Sequence, residues 1–143
     1  MSFTKILVFM LIESIFLLSV NHTSNAQNNS IKTSKKTGYA RVNGLNMYFE
    51  VYGTGSTPLV LIHGGGSTIE TSFGTLLPLL SKYGKIIAIE LQAHGRTSDR
   101  DAPESFEQDA DDVVALLKFL KVKQANILGF SNGGTTTMQI AIK

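Results

Sequence analysis

Two rhythms of apolar and polar residues run along the chain. From Leu45 to Tyr52, Leu45, Met47, Phe49 and Val51 alternate with Asn46, Tyr48 and Glu50, the period of two that turns successive side chains to opposite faces of a strand. Asn43-Gly44 precedes this run, and such a pair closes a tight hairpin because both residues accept positive φ. An antiparallel pair, Tyr39 to Val42 with Leu45 to Tyr52, is therefore expected. Three later runs, Leu59 to Ile62, Ile86 to Leu91 and Ile127 to Phe130, do not alternate, and each ends in a glycine-containing loop. Continuous apolar strands imply a sheet covered on both faces.

The intervening segments read as helices. In Ser105 to Leu120, Phe106, Ala110, Val113, Leu117 and Leu120 recur at spacings of 4, 3, 4 and 3, one stripe of an amphipathic helix. Ser105 and Gln108 have the spacing of a capping box. Glu107, Asp109, Asp111 and Asp112 lie toward the positive end of the helix dipole and Lys118, Lys121 and Lys123 toward the negative end, so these charges read as a solvated face. Residues 67–81 form a weaker helix that Gly74 and Pro78 kink or shorten. Strand and helix in alternation demand right-handed crossovers and a parallel sheet. The expected class is α/β: an antiparallel hairpin followed by parallel strands with crossover helices.

The N-terminus has a different pattern. Lys5 precedes an apolar stretch from Ile6 to Val20, and Ser24-Asn25-Ala26 then offers a small-x-small site before Gln27. Residues 1–26 read as a secretory signal peptide, cleaved after Ala26, for export to a periplasmic or extracellular space. The stretch is shorter than the ~20 residues of a membrane span and Glu13 interrupts it. Residues 27–38 are too polar to bury anything and read as a linker, with the domain running from 39 to 143.

Composition narrows the chemistry. Thirteen basic and 11 acidic residues give a net charge of +2 with no block of one sign, which argues against nucleic acid and anionic membranes and for a small-molecule partner. The chain has no cysteine, so disulfides, thiolate metal sites and cysteine nucleophiles are excluded. No His, Asp and Glu cluster has metal-ligand spacing, and no metal or cofactor is expected. Neither the dinucleotide nor the P-loop glycine pattern occurs.

Gly129-Phe130-Ser131-Asn132-Gly133 is a G-x-S-x-G sequence set between an apolar strand and a helix through Thr135 to Ile142. A sharp turn there lifts the serine Oγ clear of the backbone, and side chains at 129 or 133 would crowd strand against helix. Gly134 reads as a further aid to close helix approach. His63-Gly64-Gly65-Gly66 follows the strand Leu59 to Ile62, on the carboxyl edge where open α/β sheets place ligands. The backbone N–H groups of Gly65 and Asn132 could hold an anion developing on a carbonyl oxygen, each such donor being worth ~3 kcal/mol in a transition state. The plain alternative is a glycine-rich strand-to-helix turn.

These residues resemble the α/β-hydrolase superfamily, with the HGGG segment as its oxyanion loop and GFSNGG as its nucleophile elbow. Glu90 to Thr97 is similar to the loop after the family's fourth strand, usually Asp then Gly-His-Gly-x-Ser, with Glu at 90, Ala at 93 and Thr at 97 as departures. The resemblance runs from Tyr39 to Lys143. It implies that Ser131 is the nucleophile of a serine hydrolase acting on a carboxylic ester or similar acyl compound, and that Gly65 and Asn132 bind the oxyanion. It also implies an acid and then a histidine after the serine. The twelve residues after Ser131 contain neither. His63 and His94, which precede the serine, take loop-shaping roles by the same resemblance. The chain is thus expected to be the N-terminal half of the fold, truncated before its catalytic acid and base and nearly inactive alone, since loss of the base costs about 10⁶ in turnover. The strand Ile127 to Phe130, internal in the family, would leave an open apolar edge. A non-catalytic fragment or pseudoenzyme, and a perhydrolase or lactonase on the same elbow, are the alternative readings.

Overall fold

The computed structural model describes residues 34–143; the expected signal peptide and most of the linker lie outside the described residues. Asn43 and Gly44 take φ of 46° and 86° and close a hairpin between β1 (Lys35–Val42) and β2 (Leu45–Tyr52). The register runs from Val42 opposite Leu45 to Lys35 opposite Tyr52. Strand β1 therefore starts inside the segment expected to be linker, and Lys35 to Gly38 are sheet. Main-chain pairing needs no apolar side chain at an edge, and Lys35 adds an ion pair of 2.7 Å to Glu50 Oε1.

The remaining elements are β3 (Leu59–Ile62), α1 (Ile69–Phe73), α2 (Leu77–Leu80), β4 (Ile86–Ile89), α3 (Phe106–Phe119), β5 (Asn126–Gly129) and α4 (Asn132–Ile142). The sheet order is β1-β2-β4-β3-β5. Strand β2 pairs antiparallel with β4, and β3 pairs parallel with both β4 and β5. Helices cover both faces. Val60, Ile62, Ile87 and Ile89 point into a core closed by Val113 and Leu116 of α3, while Leu61, Ile86 and Ala88 point into a second core with Ile69, Phe73 and Leu77. Each fully buried aliphatic side chain contributes roughly 1.5–3 kcal/mol over its exposed state. The alternating strand β2 is covered on both faces too, because Tyr48 enters the second core and Glu50 is buried.

The weak helix breaks in two. Thr68 caps α1 by accepting from the Thr71 N–H, the chain turns at Gly74, and Pro78 sits in the first turn of α2, where its missing N–H is harmless. At α3, Ser105 Oγ accepts from the Gln108 N–H at 3.1 Å. The Gln108 side chain donates to Asp112 Oδ1 instead of returning to the cap, so the expected box is a single N-cap. Asp112, expected on a solvated face, is 1% exposed. It receives Arg100 through two N–H groups at 3.1 and 2.7 Å and the Asn43 amide at 2.9 Å, tying α3 to the hairpin turn. Among the described residues β5 pairs on one side only, and Leu128 and Phe130 are exposed at that edge.

Candidate active site

Strand β5 ends at Gly129, and the Phe130 N–H donates to Ile62 O at 2.9 Å, extending its pairing with β3. Ser131 then adopts φ 52° and ψ −117°, a conformation that costs a non-glycine residue of order 1–3 kcal/mol and persists only where surroundings over-determine it. Helix α4 starts at the next residue. Its first turn is locked by Gly133 N–H to Phe130 O at 2.9 Å and Gly134 N–H to Ser131 O at 2.8 Å. A Cβ on Gly129 would lie 2.0 Å from Gly133 O, and one on Gly133 would lie 2.2 Å from Ile62 O. Gly134 differs from the expectation: a Cβ there would stand 3.5 Å from Gly129 O, an ordinary contact.

The parallel pairing of β3 with β5, with Ile62 opposite Gly129, delivers the two glycine motifs to the same sheet edge. A Cβ on Gly64 would lie 3.3 Å from Ser131 Cβ, and one on Gly65 would lie 2.3 Å from Asn132 Nδ2. Ser131, Gly65 and Asn132 are thus brought together, with Ser131 and Asn132 exposed. Among the described residues neither the Gly65 nor the Asn132 N–H has a hydrogen-bond acceptor.

The two histidines interlace this loop with the one after β4. His63 is fully buried; its Nδ1–H donates to Gly64 O at 2.7 Å and its Nε2 accepts from the Leu91 N–H at 3.0 Å. His94 Nδ1–H donates to Gln92 O at 2.7 Å, and its Nε2 accepts from the Gly66 N–H at 3.0 Å. Both rings are therefore neutral, and neither has a nitrogen left for Ser131. Burial, assisted by His94, holds the His63 imidazole below its ordinary value.

Residues 57–143 match the family model described as alpha/beta hydrolase fold. The chain belongs to the α/β-hydrolase fold family. It is 36% identical over 115 residues to serine hydrolase BPHL of Homo sapiens, covering 78% of this chain and 40% of that protein; the chain thus spans 40% of the length of this curated relative. Among solved structures, epoxide hydrolase CorEH superposes with a TM-score of 0.71 at 25% identity, over 76% of this chain and 38% of that one. Est816, described as an N-acyl homoserine lactone degrading enzyme, superposes with a TM-score of 0.67 at 30% identity, over 73% and 40%.

Around this α/β-hydrolase edge lies a polar framework whose partners the sequence did not disclose. Glu90 is fully buried and clamped by Arg96, with Nη2 to Oε1 at 2.5 Å and Nε to Oε2 at 3.1 Å, and Oε2 also accepts the Arg96 N–H at 2.6 Å. Burial pushes the Glu90 carboxyl up, but the Arg96 hydrogen bonds and charge hold it, on balance, below its ordinary value. Arg96 also reaches Glu50 Oε1 at 3.2 Å and lies 3.9 Å above the Tyr48 ring. Ala93, where the family usually has glycine, stands at φ 57°, and a Cβ on Gly95 would strike Glu90 Oε2 at 2.3 Å. These residues shape the loop that carries His94.

A cavity of about 280 Å³ is lined by Gly65, Asn132, Leu91, His94, Phe106 and Asp109 among others. Burial, then the charges of Asp112 and Glu104, push the Asp109 carboxyl up to about 6. Its place in the acidic first turn of α3 was visible in the sequence, and its burial was not. Among the described residues no group of three or more His, Asp or Glu side chains is placed to hold a metal ion.

Proposed function

We propose that the protein is a serine hydrolase that cleaves a carboxylic ester or closely related acyl bond, with Ser131 as nucleophile and the N–H groups of Gly65 and Asn132 as oxyanion donors. The observation that carries this reading is Ser131 held at φ 52° and ψ −117° against the Gly64–Gly65 loop. Strain at an exposed serine, flanked by two N–H groups without acceptors, is what nucleophilic acyl transfer requires.

Ser131 Oγ attacks the acyl carbon, its proton passes to a histidine and then to the departing alcohol, and the two N–H groups bind the oxyanion. Water attacks the acyl-serine in turn, releasing the acid and restoring the hydroxyl. Neither His63 nor His94 is that histidine, because their ring nitrogens are occupied. A site without its histidine is nearly inactive, about 10⁶ below the complete one. A lactone, as a cyclic ester, fits the same chemistry, and the likeness to Est816 favours including it. The partner is a small molecule, and residues 1–26 direct export, which the intact mass of the native protein reads directly.

The test is labelling of the folded full-length protein by a fluorophosphonate. We expect one adduct, on the Ser131 peptide, lost in Ser131→Ala together with turnover of aryl esters or lactones. Absence of label, or label indifferent to Ser131→Ala, would establish the non-catalytic reading instead.

A further inference from the structure

Three consecutive glycines give the 64–66 loop no side chain with which to hold its own shape, and ordering glycine costs more backbone entropy than ordering any other residue. The order must come from across the gap. It comes through two reciprocal bonds: His63 of this loop accepts from the Leu91 N–H, and His94 of the facing loop accepts from the Gly66 N–H, each at 3.0 Å and each spanning 28 positions. The rings meet at 4.9 Å between centroids. His63 is sealed in the core, whereas His94 is partly exposed and lines the cavity that Gly65 and Asn132 also line.

The bond to His94 fixes the peptide that joins Gly65 to Gly66, and Gly66 stands at φ 63°. With Nδ1–H spent on Gln92 O, only a neutral ring leaves a lone pair on Nε2 for Gly66. We propose that His94 is a positioning residue for the reaction: its neutral imidazole latches the Gly66 N–H, holds the Gly65–Gly66 peptide that directly follows the Gly65 N–H donor and so sets where that donor points, and protonation of His94 releases the latch. A second ring proton sets donor against donor, and the loop then loses the bond that supplements His63. The groups facing His94 are His63 on the opposite loop, Glu104, Glu107 and Asp109 around the cavity, and Arg96 in its own loop; Asn132 of α4 is uncharged.

This inference rests on the oxyanion role proposed for Gly65, and two readouts on the folded full-length protein separate the two. In wild-type protein the Gly66 amide resonance should shift together with the His94 ring as pH is lowered, with ring nitrogen shifts reporting Nδ1–H and an accepting Nε2 beforehand. In kinetics, His94→Phe should lower kcat by roughly 10-fold with KM changed less than about 2-fold, whereas His94→Gln, whose amide oxygen can accept from Gly66 and does not titrate, should restore most of kcat and keep more of it at acid pH. A Gly66 amide that ignores the His94 titration overturns the latch, as does a folded His94→Phe variant with wild-type kcat. If the full-length protein neither turns over esters nor takes the serine label, the reading of Ser131 fails, and the amide titration still decides the latch. If His94→Phe does not fold, the same titration and the Gln variant decide.

Discussion

Substituting alanine at two adjacent glycines should have opposite consequences. Gly133 is the second residue of α4, and the added Cβ would lie 2.2 Å from Ile62 O and 2.6 Å from His63 O. A carbon needs about 3.3 Å from a carbonyl oxygen, so the helix start must retreat from β3 by about 1 Å. Both obstacles are backbone, so no side chain can swing aside. Retreat carries Ser131 and Asn132 away from Gly64 and Gly65, and misplacement of ~1 Å at a reacting centre costs about 100-fold in rate. Overpacking adds about 1–3 kcal/mol of instability, offset by less than about 1 kcal/mol of helix propensity. Gly134→Ala meets only Gly129 O at 3.5 Å and keeps the propensity gain. The assay is the second-order rate of fluorophosphonate labelling, with urea midpoints, for both variants of the full-length protein. We expect Gly133→Ala to label about 100-fold more slowly and to unfold about 2 kcal/mol sooner, and Gly134→Ala to label within about 2-fold of wild type. Equal rates and equal midpoints for the two variants would refute the close-contact argument.

Other substitutions test the framework. Asp112→Ala removes the acceptor of Arg100, Asn43 and Gln108 and leaves a guanidinium whose side chain is only 12% exposed; urea denaturation should show a loss of about 3 kcal/mol, and a loss under about 1 would mean that water replaces the carboxylate freely. Asp109 has its folded value raised to about 6 from 3.8, so the folded state holds the extra proton and the stability this brings, present below about 4, is lost as pH rises through about 6. Asp109→Asn should therefore raise the Tm at pH 7 and make no difference near pH 3.5. His63 works in the opposite direction: its folded value lies below the ordinary 6.5, the unfolded chain takes up the proton first, and stability present above about 6.5 is lost as pH falls further. In the Asp109→Asn background the Tm should drop between pH 7 and 5.5, and a Tm that rises over that interval would contradict a neutral buried His63.

The strands and the elbow were legible because local rules govern them. Asn43-Gly44 takes positive φ on its own account, the stripe in α3 is a matter of helical spacing, and Gly129 and Gly133 are where a strand-to-helix turn leaves no space for a Cβ. The start of β1 was not legible, since polar residues at a sheet edge pair through their backbone alone. Nor was the fate of the charged residues: Asp112 and Glu50 look like surface positions in sequence, and only the folded chain brings Arg100 to the first across 12 positions and Arg96 to the second across 46.

By itself the sequence determined the class of fold, the order of its elements and the serine motif, all of which depend on neighbours a few residues apart. The tertiary structure alone decided that His63 and His94 exchange bonds between two loops, and that Asp109 lies beside the cavity. The reason is physical: hydrogen bonds and burial depend on distance in space, and parallel pairing of β3 with β5 makes neighbours of groups that no local pattern in the chain connects.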